Sequence, residues 1–195
     1  MALQVSASTD DAREYANGDY NDSSDRVLLG DLNGFQDYVG FRFTNVPIPQ
    51  GAIIDSATLT VVSYDNRSGN TQFMLRGEAN GNPPTFSVAN SPRARVPTTA
   101  GVTWPINQGW TANQAYTSPD IAALVQEIVD RPDWGSGNAL VLLVWDVVVD
   151  NQRRFAATYE RSPSQAAELR LTFHLTGPTA TPTSTPTSTL TPTPT

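Results

Sequence analysis

The chain lacks several residue types on which whole classes of protein chemistry depend. Its 195 residues include no cysteine, no lysine and a single histidine, and all twelve basic residues are arginine. Without cysteine there are no disulfides, no thiolate catalysis and no cysteine-ligated zinc or iron–sulfur centre. Without lysine there is no Schiff-base chemistry and no P-loop lysine, and His174 alone cannot build a multi-histidine metal site.

Positive charge and long apolar runs are also scarce. The formal net charge is −7, which argues against nucleic acid as a partner because phosphates demand a basic surface. The longest apolar run, Ala139–Trp145, is far shorter than the ~20 residues of a membrane-spanning helix, so no membrane span is expected. Residues Met1–Asp10 carry no signal-peptide pattern, so an exported form would need a leader before this numbering.

Composition divides the chain near residue 176. The segment 176–195 contains ten threonines, five prolines and no charged residue. Residues 1–175 have an ordinary composition and enough length to bury a core. We therefore expect one domain over 1–175, followed by an extended tail or linker over 176–195.

The pattern of the body is typical of an all-β domain. Short apolar and β-branched runs are separated by turns rich in Gly, Pro, Asn and Asp, such as Pro47–Gly51 and Asn80–Pro84. Residues Glu168–Leu175 alternate with period two, which places leucine on one face and His174 on the other. These features predict a jelly-roll β-sandwich.

One short α-helix is expected, over about residues 118–131. Ser118 suits the N-cap, Pro119 suits the first helical position, and Pro132 ends the helix. An apolar face recurs at helical spacing between them, in Ile121, Leu124, Val125, Ile128 and Val129. The following run, Ala139–Trp145, is apolar without alternation, which predicts a strand buried on both faces with the helix over one of them.

Three stretches of the chain carry a resemblance to a known family. They are Tyr38–Phe43 with Val46–Leu59, Ser118–Leu140, and the late pair Tyr159–Glu160. Together they resemble the secreted bacterial jelly-roll modules often called DNRLRE-type, over about residues 3–175. The resemblance implies a non-catalytic β-sandwich akin to carbohydrate-binding modules, attached to large exported proteins and located outside the cell or at its surface. It fixes the fold better than the function.

An acidic stretch near the N-terminus suits a hard cation. Calcium takes about six to eight oxygen ligands and tolerates irregular geometry, although the spacing here is not that of an EF-hand. The stretch predicts one structural calcium held by a subset of Asp10, Asp11, Glu14, Asp19, Asn21, Asp22 and Asp25. The alternative is a solvated acidic loop whose Asp and Asn side chains form turns.

Aromatic residues provide the second candidate site. Exposed Trp and Tyr rings stack on sugars, so Trp104, Trp110 and Tyr116 could line a glycan platform. The alternatives are that the two tryptophans pack over one end of the sandwich, or that they form a protein contact. Trp134 and Trp145 are expected in the core.

No convincing catalytic set emerges from the sequence. Clustered carboxylates could hydrolyse a glycoside, but nothing fixes a pair at the separation of about 5–9 Å that this chemistry needs. The Gly135-Ser-Gly segment follows a helix instead of preceding one, so it is not a nucleophile elbow. We therefore expect a protein that is not an enzyme.

The tail has a regular pattern of its own. Every odd position from Thr179 to Thr195 is threonine, and proline occurs only between them, so an extended or polyproline-like chain is expected. Such segments serve as stalks with O-glycans, for which the candidates are Thr179, Thr181, Thr183, Thr185, Thr187, Thr189, Thr191 and Thr193. Alternatively, the tail or the N-terminal run Leu3–Ser8 adds to a sheet edge of a neighbouring copy and builds a fibre.

Two functions follow from these features. The first is a non-catalytic extracellular structural or adhesive subunit that joins other copies of itself head to tail. The second is a carbohydrate-binding module on a glycosylated linker of a larger secreted protein, with carbohydrate bound or covalently attached.

Overall fold

A computed structural model describes residues 1–32, 34–145 and 152–175. The segment 176–195, with its O-glycosylation candidates, lies outside the described residues, and so does the side chain of Trp145.

The described chain forms thirteen strands and one α-helix, α1 (Ala122–Val129). In chain order the strands are β1 (Ala2–Gln4), β2 (Asp11–Glu14), β3 (Tyr20–Asn21), β4 (Arg26–Leu32), β5 (Phe35–Gln36), β6 (Tyr38–Phe43), β7 (Ala52–Val62), β8 (Thr71–Glu78), β9 (Pro97–Ile106), β10 (Ala115–Thr117), β11 (Leu140–Trp145), β12 (Arg153–Ala157) and β13 (Glu168–Leu175).

The strands form antiparallel sheets in three groups. The largest has the order β3-β2-β6-β11-β8-β9, the second β1-β13-β7-β10, and the third β12-β4-β5. Their inner faces share one apolar core that runs from Val5 to Leu171 and includes Phe41, Leu59 and Leu142. The prediction of an all-β sandwich is confirmed.

The helix is shorter than the sequence predicts, because its expected cap is used elsewhere. The Ser118 hydroxyl accepts a hydrogen bond from the Leu59 N–H of β7 at 3.0 Å instead of capping the helix. The Asp120 carboxylate accepts from the Ala122 N–H at 2.9 Å and from the Ala57 N–H of β7 at 2.9 Å. The residues just before the helix are therefore hydrogen-bonded to β7, and α1 starts at Ala122.

Strand β11 is buried on both faces, as expected. Its Leu140, Leu142 and Val144 face the main core, while Val141 and Leu143 form a second apolar cluster with Ala12 and Phe86. Phe86 belongs to the long connection between β8 and β9, and α1 packs against β7, β8 and β9. A loop thus covers one face of β11, and α1 contributes to the core on the other face.

The connection between β8 and β9 is held to the sheet by one buried arginine, Arg95. The Arg95 guanidinium pairs with the Glu78 carboxylate at 2.9 Å and donates to the carbonyl oxygens of Pro84, Thr85 and Asn90. Phe86 lies beneath it, 4.7 Å from the guanidinium carbon to the ring centroid. The connection therefore stays close to the sheet although it lacks strands of its own.

Candidate functional site

A cleft of about 440 Å³ opens between the edges of two sheets. Strand β9 forms one wall, β10 forms the other, and the turn that follows β9 closes the end. Asn107 and Gln108 of that turn and Thr117 of β10 supply exposed polar groups. The cleft is the place where the described residues bring Trp104, Trp110 and Tyr116 together.

The three aromatic side chains are packed in a fixed order. The Tyr116 ring stacks on Trp110 with 4.5 Å between centroids and 8° between planes, and its hydroxyl accepts from the Thr111 N–H at 2.7 Å. Trp110 also contacts Trp104 at 5.8 Å between centroids and lies 5.8 Å from the Arg154 guanidinium carbon. Tyr116 is half-buried, so its ring is the one that lines the cleft with an accessible surface.

The two tryptophans do not present the exposed platform that the sequence suggested. Trp104 is 4% exposed and Trp110 is 2% exposed, and both belong to the main core. This burial supports the alternative in which the pair packs inside one end of the sandwich. Trp134 is also a core residue, as expected, and its indole N–H donates to the Ile48 carbonyl at 3.0 Å.

The acidic stretch folds mainly as the hairpin of β2 and β3. Gly18 takes the left-handed conformation, with φ of 93°, at the tight turn between the two strands. The Asn17 side chain accepts from the Asp19 N–H at 3.1 Å, and the Asn21 side chain accepts from the Ser23 N–H at 3.2 Å. The Asp22 carboxylate accepts from the Tyr20 hydroxyl. These are the turn-forming roles that the alternative to a calcium loop predicts.

The remaining candidate ligands point to separate partners. Asp10 pairs with Arg42 at 2.8 Å, and Asp25 accepts from the Tyr64 hydroxyl at 2.9 Å. Glu14 is buried, and its Oε2 has no hydrogen-bond partner. Side chains alternate between the two faces of a strand, so residues three apart lie on opposite faces. Glu14 therefore lies on the face of β2 opposite to Asp11.

Asp11 contacts a distant part of the chain instead of its sequence neighbours. Its Oδ2 accepts from the backbone N–H of Tyr159, 148 positions later, at 2.8 Å. Its Oδ1 is buried without a hydrogen-bond partner, as are both carboxylate oxygens of Glu160, the residue after Tyr159. The pKa of Asp11 is raised to about 8, chiefly by burial; the hydrogen bond from Tyr159 opposes this rise, and the negative charges of Glu160 and Asp10 add to it.

The seven predicted calcium ligands therefore do not form one site. Within residues 1–32, 34–145 and 152–175, no group of three or more His, Asp or Glu side chains is placed to hold a metal ion. Calcium binding itself stays a prediction.

Sequence reasoning missed Glu160 as a candidate ligand. Its carboxylate belongs to a turn after β12, far along the chain from Asp11, and no local spacing relates the two residues. In the sequence, the family resemblance of Tyr159–Glu160 is the signal that distinguishes this pair.

Comparison with known proteins leaves the family open. The chain matches no protein-family model and no curated protein. In the part of the chain that the structure describes, no helix is long and apolar enough to cross a membrane.

Proposed function

We propose that this protein is a non-catalytic extracellular structural or adhesive module whose copies join in series through the tail. The observation that carries the proposal is an uncovered sheet edge at the end of β13. Strand β1 covers β13 only from Glu168 to Arg170, and Met1 extends the pairing to Leu171 through hydrogen bonds of 2.7 and 3.1 Å. No described strand pairs with Thr172–Leu175 on that side.

The placement of proline in the tail sequence suits pairing with such an edge. In an extended chain the N–H groups of alternate residues point to opposite sides. All odd positions from Thr179 to Thr195 keep an N–H, while the prolines occupy even positions only. The odd positions can therefore donate without interruption, whereas the prolines interrupt the donors at the even positions, which suits a strand that adds to an edge through one side and extends the sheet poorly on the other.

The edge strand β9 of the largest sheet is less suited to pairing with the tail than β13 is. Strand β9 is the long edge strand of the largest sheet, but it carries Pro105 and its Thr99 and Ala100 N–H groups are bonded to Glu127. These features blunt β9 as a pairing edge. The uncovered part of β13 is only four residues long, so we expect association that is weak and depends on concentration.

Sedimentation of the full chain tests the proposal. We expect the native chain to form larger species as its concentration rises, and a chain that ends at residue 175 to remain monomeric over the same range. Loss of unfolding cooperativity in the shortened chain would show damage to the fold. If the shortened and native chains are equally monomeric or equally associated, the proposal fails.

The cleft between β9 and β10 favours a second candidate, carbohydrate binding. Tyr116 offers a half-buried ring beside Asn107, Gln108 and Thr117, which combines an apolar surface with polar groups as sugar sites do. Substitution of Trp104 or Trp110 would damage the core and could not test this function. Exposed residues of the cleft can.

A glycan array with three variants separates the second candidate from the first. Saturable binding that is lost in Asn107→Ala and Gln108→Ala, and kept in Asn70→Ala outside the cleft, would establish a carbohydrate site. Binding that none of the three variants affects would place any carbohydrate site elsewhere.

A further inference from the structure

Asp11 and Glu160 leave three carboxylate oxygens buried without hydrogen-bond partners. Asp11 is 1% exposed and its Oδ1 is one of these atoms, while the other two are both oxygens of Glu160. Native proteins satisfy nearly all of their buried polar atoms, so an unsatisfied group calls for a specific partner. The energetic cost is greater here because carboxylates are ionised in water, and burial without a partner disfavours that charge.

The two carboxylates belong to one neighbourhood. The Asp11 Oδ2 is held 2.8 Å from the N–H of Tyr159, the residue that directly precedes Glu160. The chain just before Glu160 is also held by the connection between β3 and β4, where the Thr158 hydroxyl donates to the Ser24 carbonyl at 2.5 Å. Neighbouring Asp10 supplies no compensating charge, since it is an acid already paired with Arg42.

We propose that Asp11 and Glu160 are the anionic ligands of a site for a hard divalent cation, with calcium as the first choice. A cation supplies what a water molecule cannot, which is positive charge for two buried carboxylates. Carboxylate oxygens are preferred ligands of calcium, and water or backbone carbonyl oxygens commonly complete its shell of about six to eight. The cation would join β2 to the turn after β12, two segments that are distant in sequence.

This site differs from the loop that the sequence suggested. Of the seven residues predicted there, only Asp11 is retained, and Glu160 was not among them. The hairpin residues Asp19 and Asp22 already make turn contacts and supply matched controls. The inference is independent of the proposed assembly through the tail.

Thermal unfolding and calorimetric titration of the full chain with calcium alone test the site. After treatment with a chelator, the native chain is expected to bind calcium saturably and to unfold at a higher temperature when calcium is present. Asp11→Asn and Glu160→Gln are expected to abolish both effects. Asp19→Asn and Asp22→Asn are expected to retain them.

The variants remain informative in the absence of metal. Glu160→Gln removes a charge that has no partner, and Asp11→Asn keeps an oxygen that can accept from Tyr159, so both should fold without calcium. A native chain that shows no calcium effect overturns the inference. So does a calcium effect that survives in Glu160→Gln, or one that is lost in Asp19→Asn and kept in Asp11→Asn.

Discussion

The carboxylate of Glu127 on α1 accepts hydrogen bonds from the N–H of Thr99 at 2.7 Å and from the adjacent Ala100 N–H at 2.8 Å. The helix thereby occupies donors on β9, the edge strand of the largest sheet. Free edge donors are a template for pairing with another chain. This contact makes β9 a poor pairing edge, and it therefore supports β13 as the edge that we propose for joining copies.

The role of Glu127 can be measured by removing its carboxylate. We expect Glu127→Ala to lower the free energy of unfolding by about 1–2 kcal/mol, because two hydrogen bonds to a charged acceptor are lost. It should also promote aggregation through β9. Glu127→Gln retains one acceptor oxygen and should fall between the native chain and Glu127→Ala. Urea unfolding and light scattering would check both effects, and equal aggregation of all three proteins would contradict this role.

The pair of Glu78 and Arg95 should make stability depend on pH. Burial raises the pKa of Glu78, and the nearby Arg95 lowers it less than burial raises it. A raised pKa in the folded state means that the folded chain holds this proton to higher pH than the unfolded chain does. The contribution of Glu78 to stability is therefore fully present below its ordinary pKa of 4.5 and is lost as the pH rises through the folded value.

Glu78→Gln isolates that contribution. Urea unfolding of the native chain and the variant between pH 4 and pH 7 would give the difference in their free energies of unfolding at each pH. We expect the native chain to lose stability relative to the variant as the pH rises. A difference that moves the other way would mean that attraction to Arg95 outweighs the cost of burial.

Close packing of Phe86 over Gly40 should make that glycine sensitive to substitution. A Cβ added at Gly40 would lie 2.3 Å from the Phe86 ring, and Phe86 is held between the sheet and Arg95. We expect Gly40→Ala to cost about 1–3 kcal/mol in stability through overpacking. Gly135→Ala is the control, since its nearest neighbour would be 3.6 Å away. Equal stability of the two variants would show that the loop can move aside.

Local sequence patterns predicted the class of fold well. The alternation in Glu168–Leu175, the unbroken apolar run of β11 and the helical spacing of Ile121, Leu124 and Ile128 each depend on near neighbours. Burial of one face or one stripe is enough to produce these patterns. Strands, helix and core could therefore be recognised without knowing how they meet.

Tertiary contacts decided what the sequence could not predict. Ser118 has the features of a helix cap, but the backbone of β7 competes for its hydroxyl. Trp104 and Trp110 lie near turns in the sequence, yet both side chains are buried in the main core. The hydrogen bond between Asp11 and Tyr159 forms because the fold brings β2 beside the turn after β12. No spacing within either segment predicts this contact.

The arrangement of proline in the tail gives the most direct test of assembly in series. Exchange of Thr185 with Pro186 keeps composition and length but moves one proline into the set of odd positions, which from Thr179 to Thr195 is otherwise free of proline. Exchange of Thr187 with Ser188 is the matched control, because it moves no proline.

Sedimentation velocity of the three full-length proteins, at rising concentration, is the decisive measurement. If the tail pairs with the uncovered edge of β13, the Thr185–Pro186 exchange should weaken association while the Thr187–Ser188 exchange leaves it unchanged. Association of the same strength in all three proteins would contradict the proposed pairing.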